Sequence, residues 1–463
     1  MTQFARRTNN SESVISGGGS AVRLTFVKFL LRYPLFILAF GPPIFRSSVG
    51  IDATKGVIDF WAFIQVGLLC AISARAIWRL SSAQSIRIPK QVRSIYKMAF
   101  FLGLLFLASS VYSTSRLVSA AYSILYILTM ICVVEFIVDA NKYPPNWMQC
   151  LFHLRLIALL LFVAILLTLT FYPSIVMAVI PGVGIRLGGG AVAPVTVICP
   201  MIAIISAYTF LHSLESRARS VLFFMVGLTG TLITQGRGCE FALFLSFAIL
   251  GIGWAKTGRR SAYVFISGLM ASILLSGMLL GAIGGGRIWN TFNRGQNAQD
   301  IASASGRTQV WNFVIQYCLA HPQGMGYIAG FRTIFRQYFT LGLRIDVTGF
   351  GNAHNVYMQV LADAGWLALA IYLIMMVKIV SLGWRFAKKR ALVTFESDSV
   401  PRHAIQCALV LLIFYFADGM DAADFSLPLR AAFYMQNIII AIILGASASM
   451  LTASRARSIA SVK

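Results

Sequence analysis

Apolar residues fill long, nearly unbroken runs in this chain, and polar residues gather in short stretches between them. A helix needs roughly 20 apolar residues to cross a bilayer. Runs of that kind number about twelve, near 26–45, 57–78, 97–114, 116–138, 151–172, 191–212, 219–235, 239–255, 262–283, 355–381, 404–422 and 427–450. They do not alternate apolar and polar positions as barrel strands do. Lipid offers backbone N–H and C=O groups no partner, so such runs are helical. The pattern therefore predicts an all-α fold, a polytopic transmembrane bundle of about twelve spans. The first of them carries Arg32 and Pro34.

The same pattern divides the chain. Residues 1–25, "MTQFARRTNNSESVISGGGSAVRLT", read as a disordered cytoplasmic tail without the apolar core and cleavage site of a signal peptide. Helices 1–9 occupy 26–283, a large periplasmic loop 284–354, helices 10–12 355–450, and a second cytoplasmic tail 451–463. Loops as long as 284–354 are uncommon unless they are functional or disordered. Part of this one has helical spacing: Ser305 is a candidate N-cap, followed by Trp311, Val314, Ile315, Cys318 and Leu319 on one stripe. That predicts an amphipathic helix lying on the membrane or over the bundle.

Composition agrees: 58% of residues are hydrophobic, 12% are charged, and mean hydropathy is +0.77, outside the range of soluble domains. The net charge of +24 would suggest nucleic acid in a soluble protein. Here it reflects Lys and Arg in cytoplasmic loops, and no nucleic-acid partner is expected. One set of alternate loops carries Arg75, Arg79, Arg87, Lys90, Arg93 and Lys97, then Lys142, Arg217 and Arg219, Lys256, Arg259 and Arg260, and finally Arg385, Lys388, Lys389, Arg390 and Arg402. Arg6, Arg7, Arg455, Arg457 and Lys463 fall on the same side. Both termini are thus expected in the cytoplasm, with the other loops on the outer face of a bacterial inner membrane. The seven cysteines are dispersed, with no disulfide framework and no metal-ligand spacing.

Arginines on the outer face depart from that charge rule. Arg186 lies in "GVGIRLGGGAVAP", Arg237 in the short turn "LITQGRGCE", and Arg307 at the start of the loop helix. Arg287, Arg294, Arg332, Arg336 and Arg344 are spread along the large loop. A guanidinium at the edge of a bundle is costly unless paired, and Glu240 is a candidate partner for Arg237 at helical spacing. Gly188, Gly189 and Gly190 ahead of Pro194 make either a flexible turn or an anion-binding backbone at a helix start. Arginine suits a diphosphate, since its planar fork gives paired, charge-assisted hydrogen bonds. Asp418, Asp421 and Asp424 suit pairing with outer arginines, or solvation, better than a cation site.

In "GNAHNVYMQVLADAGW", His354 ends the large loop and a span follows. A neutral imidazole there can take a proton from an attacking hydroxyl. The plainer alternatives are an interfacial histidine, Asn355 as a helix cap, and Asp363 and Gly365 as polar packing within the span.

The ordered set "GRTQVW", "HPQGMGY" and "AHNVYMQVLADAGWLAL", with "RLGGG…P" and "TQGRG" upstream, resembles the O-antigen ligase and polysaccharide polymerase superfamily over roughly residues 180–385. Gly236 stands where the family pattern has a Ser, and Val195 where it often has an Asn. The resemblance implies an inverting membrane glycosyltransferase that moves glycan from an undecaprenyl-diphosphate-linked donor to an acceptor hydroxyl at the periplasmic face, with no metal or other cofactor. It implies that Arg186, Arg237 and Arg307 bind the diphosphate, with Arg237 and Arg307 also catalytic. His354 activates the acceptor or contacts the diphosphate. The favoured reading is an exopolysaccharide polymerase. The alternatives are an O-antigen ligase acting on lipid A-core and, less favoured, a flippase, which would carry ionisable groups near the midplane on broken, repeated helices. Expected partners are the lipid-linked donor, a glycan or lipid acceptor, membrane lipids and polysaccharide export machinery.

Overall fold

The computed structural model describes residues 25–40, 60–82, 88–173, 177–180, 184–187, 192–234, 237–255, 307–331, 333–334, 353–388, 399–420, 428 and 430–460. The elements in chain order are α1 (Phe26–Arg32), α2 (Leu35–Leu38), α3 (Phe60–Ser82), α4 (Lys90–Ser109), α5 (Arg116–Lys142), α6 (Trp147–Phe171), β1 (Met177–Ile180), β2 (Gly184–Leu187), α7 (Val192–Leu211), α8 (Arg217–Thr234), α9 (Arg237–Ala255), α10 (Arg307–Ala320), α11 (Val356–Lys388), α12 (Ser399–Asp418) and α13 (Ala431–Ala460).

Among the described residues, seven helices are long and apolar enough to cross a membrane: Phe63–Ser82, Lys90–Ser109, Arg116–Lys142, Trp147–Phe171, Val356–Lys388, Val400–Asp418 and Ala431–Ser454. The chain is a multi-pass helical membrane protein. The described spans are fewer than the twelve expected: α8, where 219–235 was expected, is a helix but not among the seven, and the other four differ for identifiable reasons. Val195–Leu211 and Gly238–Leu250 are apolar but shorter, and the span expected at 262–283 lies outside the described residues. The described part of the expected span 26–45 is two short helices, because the chain leaves helical geometry at Tyr33 and Pro34 has no N–H to continue the ladder. The described elements are helical, as expected, apart from one short hairpin. β1 and β2 form an antiparallel hairpin in the register Met177↔Leu187, Ala178↔Arg186, Val179↔Ile185 and Ile180↔Gly184.

Lipid gives helices no hydrophobic reason to associate, so close packing of shapes must hold them. α7 and α8 pack closely because Gly227 and Gly230 lack side chains. A Cβ on Gly227 would lie 2.5 Å from the Ala203 nitrogen, and one on Gly230 2.5 Å from Cys199 Sγ. α13 lies against α5 and α12, and α11 against α4 and α12. Phe433, Tyr434, Ile438, Ile439, Ile442 and Ile443 place much of α13 in the core.

Ion pairs cluster at the end of the bundle that the charge pattern assigns to the cytoplasm. Arg79 donates to Glu135 Oε1 at 2.5 Å and to Asp139 Oδ1 at 2.7 Å, tying α3 to α5. Arg155 Nη2 donates to both oxygens of Glu215 at 2.8 Å. Arg402 Nε and Gln406 Nε2 donate to the Ala387 carbonyl, at 3.0 and 3.1 Å, across the α11–α12 connection. Hydrogen bonds of a different kind, made largely by backbone, organise the opposite end.

Candidate active site

α11 begins with a side-chain cap. Asn355 Oδ1 accepts from the backbone nitrogens of Tyr357 and Met358 at 2.9 and 3.0 Å, as an N-cap asparagine does. The same side chain donates from Nδ2 to the Met420 carbonyl at 3.1 Å. The Val356 nitrogen donates to the Gly419 carbonyl at 2.8 Å, and the Tyr357 hydroxyl to the Phe416 carbonyl at 3.2 Å. These bonds fasten the start of α11 to the end of α12. The cap expected at Asn355 is present and also joins two helices.

His354 sits immediately before this cap, half-buried, with φ +47°. That left-handed backbone is uncommon for a residue other than glycine, though histidine is among those that adopt it. The residue preceding it, Ala353, is gripped on both sides. Trp311 Nε1 donates to the Ala353 carbonyl at 2.9 Å, and the Ala353 nitrogen donates to Gln359 Oε1 at 2.9 Å. Gln359 Nε2 in turn donates to Asp363 Oδ1 at 2.8 Å. Ala353, Gln359 and Asp363 are all buried.

Nine residues into α11 the helix breaks. Ala364 (φ −144°, ψ 19°) and Gly365 (φ 77°, ψ −170°) leave helical geometry. A break inside a membrane helix must satisfy the backbone groups it frees, and the segment "HPQGMGY" does so. The Met325 nitrogen donates to the Ala362 carbonyl at 2.6 Å, the Gly326 nitrogen to the Asp363 carbonyl at 3.1 Å, and the Trp366 nitrogen to the Pro322 carbonyl at 3.2 Å. Trp366 Nε1 donates to the Cys318 carbonyl at 3.1 Å. Only glycine fits at 365, since a Cβ there would lie 1.9 Å from the Pro322 oxygen.

The same segment reaches α4 and α5. The Tyr327 nitrogen donates to Ser109 Oγ at 2.9 Å, Ser119 Oγ donates to the Tyr327 carbonyl at 2.8 Å, and the Tyr327 ring stacks on Phe106 at 4.1 Å. The Tyr112 hydroxyl donates to the Gln323 carbonyl. Ile328 has φ +58°, a strained value for a β-branched residue, and such strain persists only where surrounding contacts impose it. Here its nitrogen donates to Asp363 Oδ1 at 2.8 Å.

Arg307 opens α10, one turn before Trp311. Burial lowers the pKa of its guanidinium from the ordinary arginine value, and the nearby negative charge of Asp418 opposes that shift. α10 packs over the bundle on α11 through Val310, Val314 and Cys318. Of the two positions expected for this helix, on the membrane or over the bundle, the second is the one found. Ser305 lies outside the described residues.

The structure thus brings Arg307, His354 and Asp418 to one end of the bundle. Arg237 is the first residue of α9, which packs along α12. Glu240 lies in the same first turn, but the Arg237 side chain, and with it the expected pairing, lies outside the described residues. Arg186 was expected just ahead of the glycines 188–190. It stands in β2 opposite Ala178, and β2 touches α8, the helix that leads to Arg237. Gly188, Gly189 and Gly190, and Asp421 and Asp424, lie outside the described residues.

Residues 221–373 match the O-antigen ligase family.

This bears out the resemblance read from the motifs. The family region runs from α8 into the second half of α11 and includes Arg237, Arg307, His354 and the break at Gly365, but not Arg186. The match supports a membrane glycosyltransferase-type function. A comparison with curated proteins returns no match. The sequence reading assigned Asp363 to polar packing and passed over Gln359. Within the family region these two residues join the start of α11 to its break. The signal that could have singled out Asp363 was the presence of an ionisable group inside an apolar run.

Proposed function

We propose that the protein is an inverting glycosyltransferase that moves glycan from a polyprenyl-diphosphate donor, undecaprenyl in bacteria, to an acceptor hydroxyl on the outer face. We read it as a polymerase for a surface polysaccharide. One observation carries this reading. Arg307 and the His354 peptide are joined through α10, since Trp311, one turn after Arg307, holds the carbonyl beside His354.

In this reading Arg186, Arg237 and Arg307 bind the diphosphate. The anomeric carbon–oxygen bond to phosphate breaks as the acceptor oxygen attacks from the opposite face, and His354 takes the acceptor proton. Negative charge grows on the departing diphosphate. Fixed guanidinium groups stabilise that charge more in the transition state than in the bound donor, which is the condition for catalysis. The helix-capped, doubly held backbone at His354 supplies the preorganisation such proton transfer needs.

A ligase that hands the glycan to lipid A-core would use the same donor chemistry, and the matched family carries the description O-antigen ligase. Purified protein, a defined lipid-linked donor and the two acceptors in separate reactions test both readings. We expect elongation of lipid-linked glycan, with Arg237→Ala and His354→Ala each abolishing transfer while the protein still inserts. Transfer to lipid A-core alone would make it a ligase. Normal product from either variant would remove that residue from the mechanism.

A further inference from the structure

α10 starts at the candidate site and runs for 14 residues, about 21 Å at 1.5 Å per residue. From Thr308 to Ala320 it carries no Asp, Glu, Lys or Arg, in a chain whose net charge is +24. Val310, Val314 and Cys318 are buried against α11. The side facing away presents Gln309, Asn312 and Gln316, all exposed, with Gln309 and Gln316 two turns apart and nearly aligned. Beside this row runs a ladder of rings four residues apart, the half-buried Phe313 and Tyr317, which also pack against the cluster beneath, and the exposed His321. Phe313 and Tyr317 have centroids 6.0 Å apart, and Tyr317 and His321 stack at 4.4 Å with their planes 21° apart.

Each carboxamide offers donors and an acceptor on one rigid group, which matches the paired donor and acceptor character of neighbouring sugar hydroxyls. Aromatic rings accept the apolar C–H faces of sugar rings and carry a large contact area. A helix built to lie on lipid would instead combine a basic polar face with large apolar residues. On this face only Leu319 is large, apolar and well exposed, at the far end.

We propose that the exposed face of α10 is a saccharide-binding strip that holds an uncharged stretch of glycan leading from the candidate site. The proposal rests on the transferase reading for the identity of its ligand. The strip begins at Gln309, two residues before Trp311, whose indole holds the carbonyl beside His354, so the start of the strip lies near the reacting sugar of an attached chain.

The test uses the full-length protein in detergent. The probe is the pool of reducing oligosaccharides released by mild acid from the polyprenyl-diphosphate lipids of the source cells, followed by saturation-transfer NMR. Gln309→Ala with Gln316→Ala removes two exposed carboxamides and inserts the best helix former, so folding is retained and an unchanged elution profile verifies it. The oligosaccharides should bind the unaltered protein, and at least tenfold more weakly to the double variant. Arg237→Ala should leave this binding intact, because the probe has no diphosphate. Absence of binding, or equal binding to the double variant, overturns the strip. So does protection of a cysteine placed at Asn312 by lipid vesicles but not by saccharide. If Arg237→Ala and His354→Ala transfer normally while the strip still binds glycan, only the transferase mechanism fails. If they lose transfer while the strip does not bind, only the strip fails.

Discussion

The Trp311 indole and the Ala353 carbonyl oxygen meet at 2.9 Å, across 42 residues of sequence. This bond makes the loop helix α10 a support for the backbone that presents His354. Its counterpart on the other side of the same residue, Ala353, is the Gln359 carboxamide.

Trp311→Phe keeps the ring and removes the donor. A buried carbonyl left without its partner costs about 1–3 kcal/mol. If about 1.4 kcal/mol of that is lost from the transition state, turnover falls about tenfold. We expect the loss in kcat with KM little changed, measured by transfer from a defined donor, and a similar result for Gln359→Leu. A rise in KM alone would place both residues in substrate binding.

Gly365→Ala should be among the most damaging substitutions in the chain. It forces a side chain into a left-handed backbone and against the Pro322 oxygen. The backbone strain alone is worth about 1–3 kcal/mol, with the clash added. Thermal unfolding in detergent should show a lowered Tm, and a native-like Tm would mean that the break relaxes without the "HPQGMGY" contact.

Asp363→Ala removes the acceptor for both the Ile328 nitrogen and Gln359 Nε2. Each such hydrogen bond contributes about 0.5–1.5 kcal/mol, and the buried donors left unsatisfied add about 1–3 kcal/mol, so the segment around Tyr327 should detach and become sensitive to protease. Asp363→Asn retains Oδ1 and should lose less than half as much. Equal cleavage of the two variants would show that the Oδ1 acceptor alone does not hold Ile328.

Glu215→Gln tests the other end of the bundle. It leaves Arg155, itself buried, without its charge partner, and breaking a buried pair costs about 3–5 kcal/mol. Changing Arg155→Met as well should recover much of that loss, because the stranded charge is gone. A double variant as unstable as the single one would mean that the pair also orders the α7–α8 connection.

Helix positions were legible because their periods and apolar lengths are local properties. The span expected at 151–172 is α6, starting at Trp147 behind an Asn146 side-chain cap. The span expected at 355–381 is α11, starting at Val356. The break in α11 was not legible. "ADAGW" contains no proline, and what stabilises the break is backbone from Pro322 to Gly326, about one loop away in sequence. The motifs around His354 and Arg307 could be read in order, but a one-dimensional pattern cannot show that one motif satisfies the freed carbonyls of the other. Arg186 shows the reverse. Its neighbouring glycines stand out in the sequence, whereas its backbone is set by cross-strand pairing with Met177–Ile180, a non-local partner that no local pattern announces.

The segment from His321 to Ile328 binds partners made at different times. Ser109 and Ser119 leave the ribosome before it, and Ala362 to Trp366 after it. During synthesis it can dock on α4 and α5 at once but must wait for α11 before the interlock closes. The His354 backbone thus takes its final form late in biogenesis, after the helices of the family region are in place. A chain truncated before Gly365 would carry every candidate arginine and the histidine, yet lack the surface that completes their support.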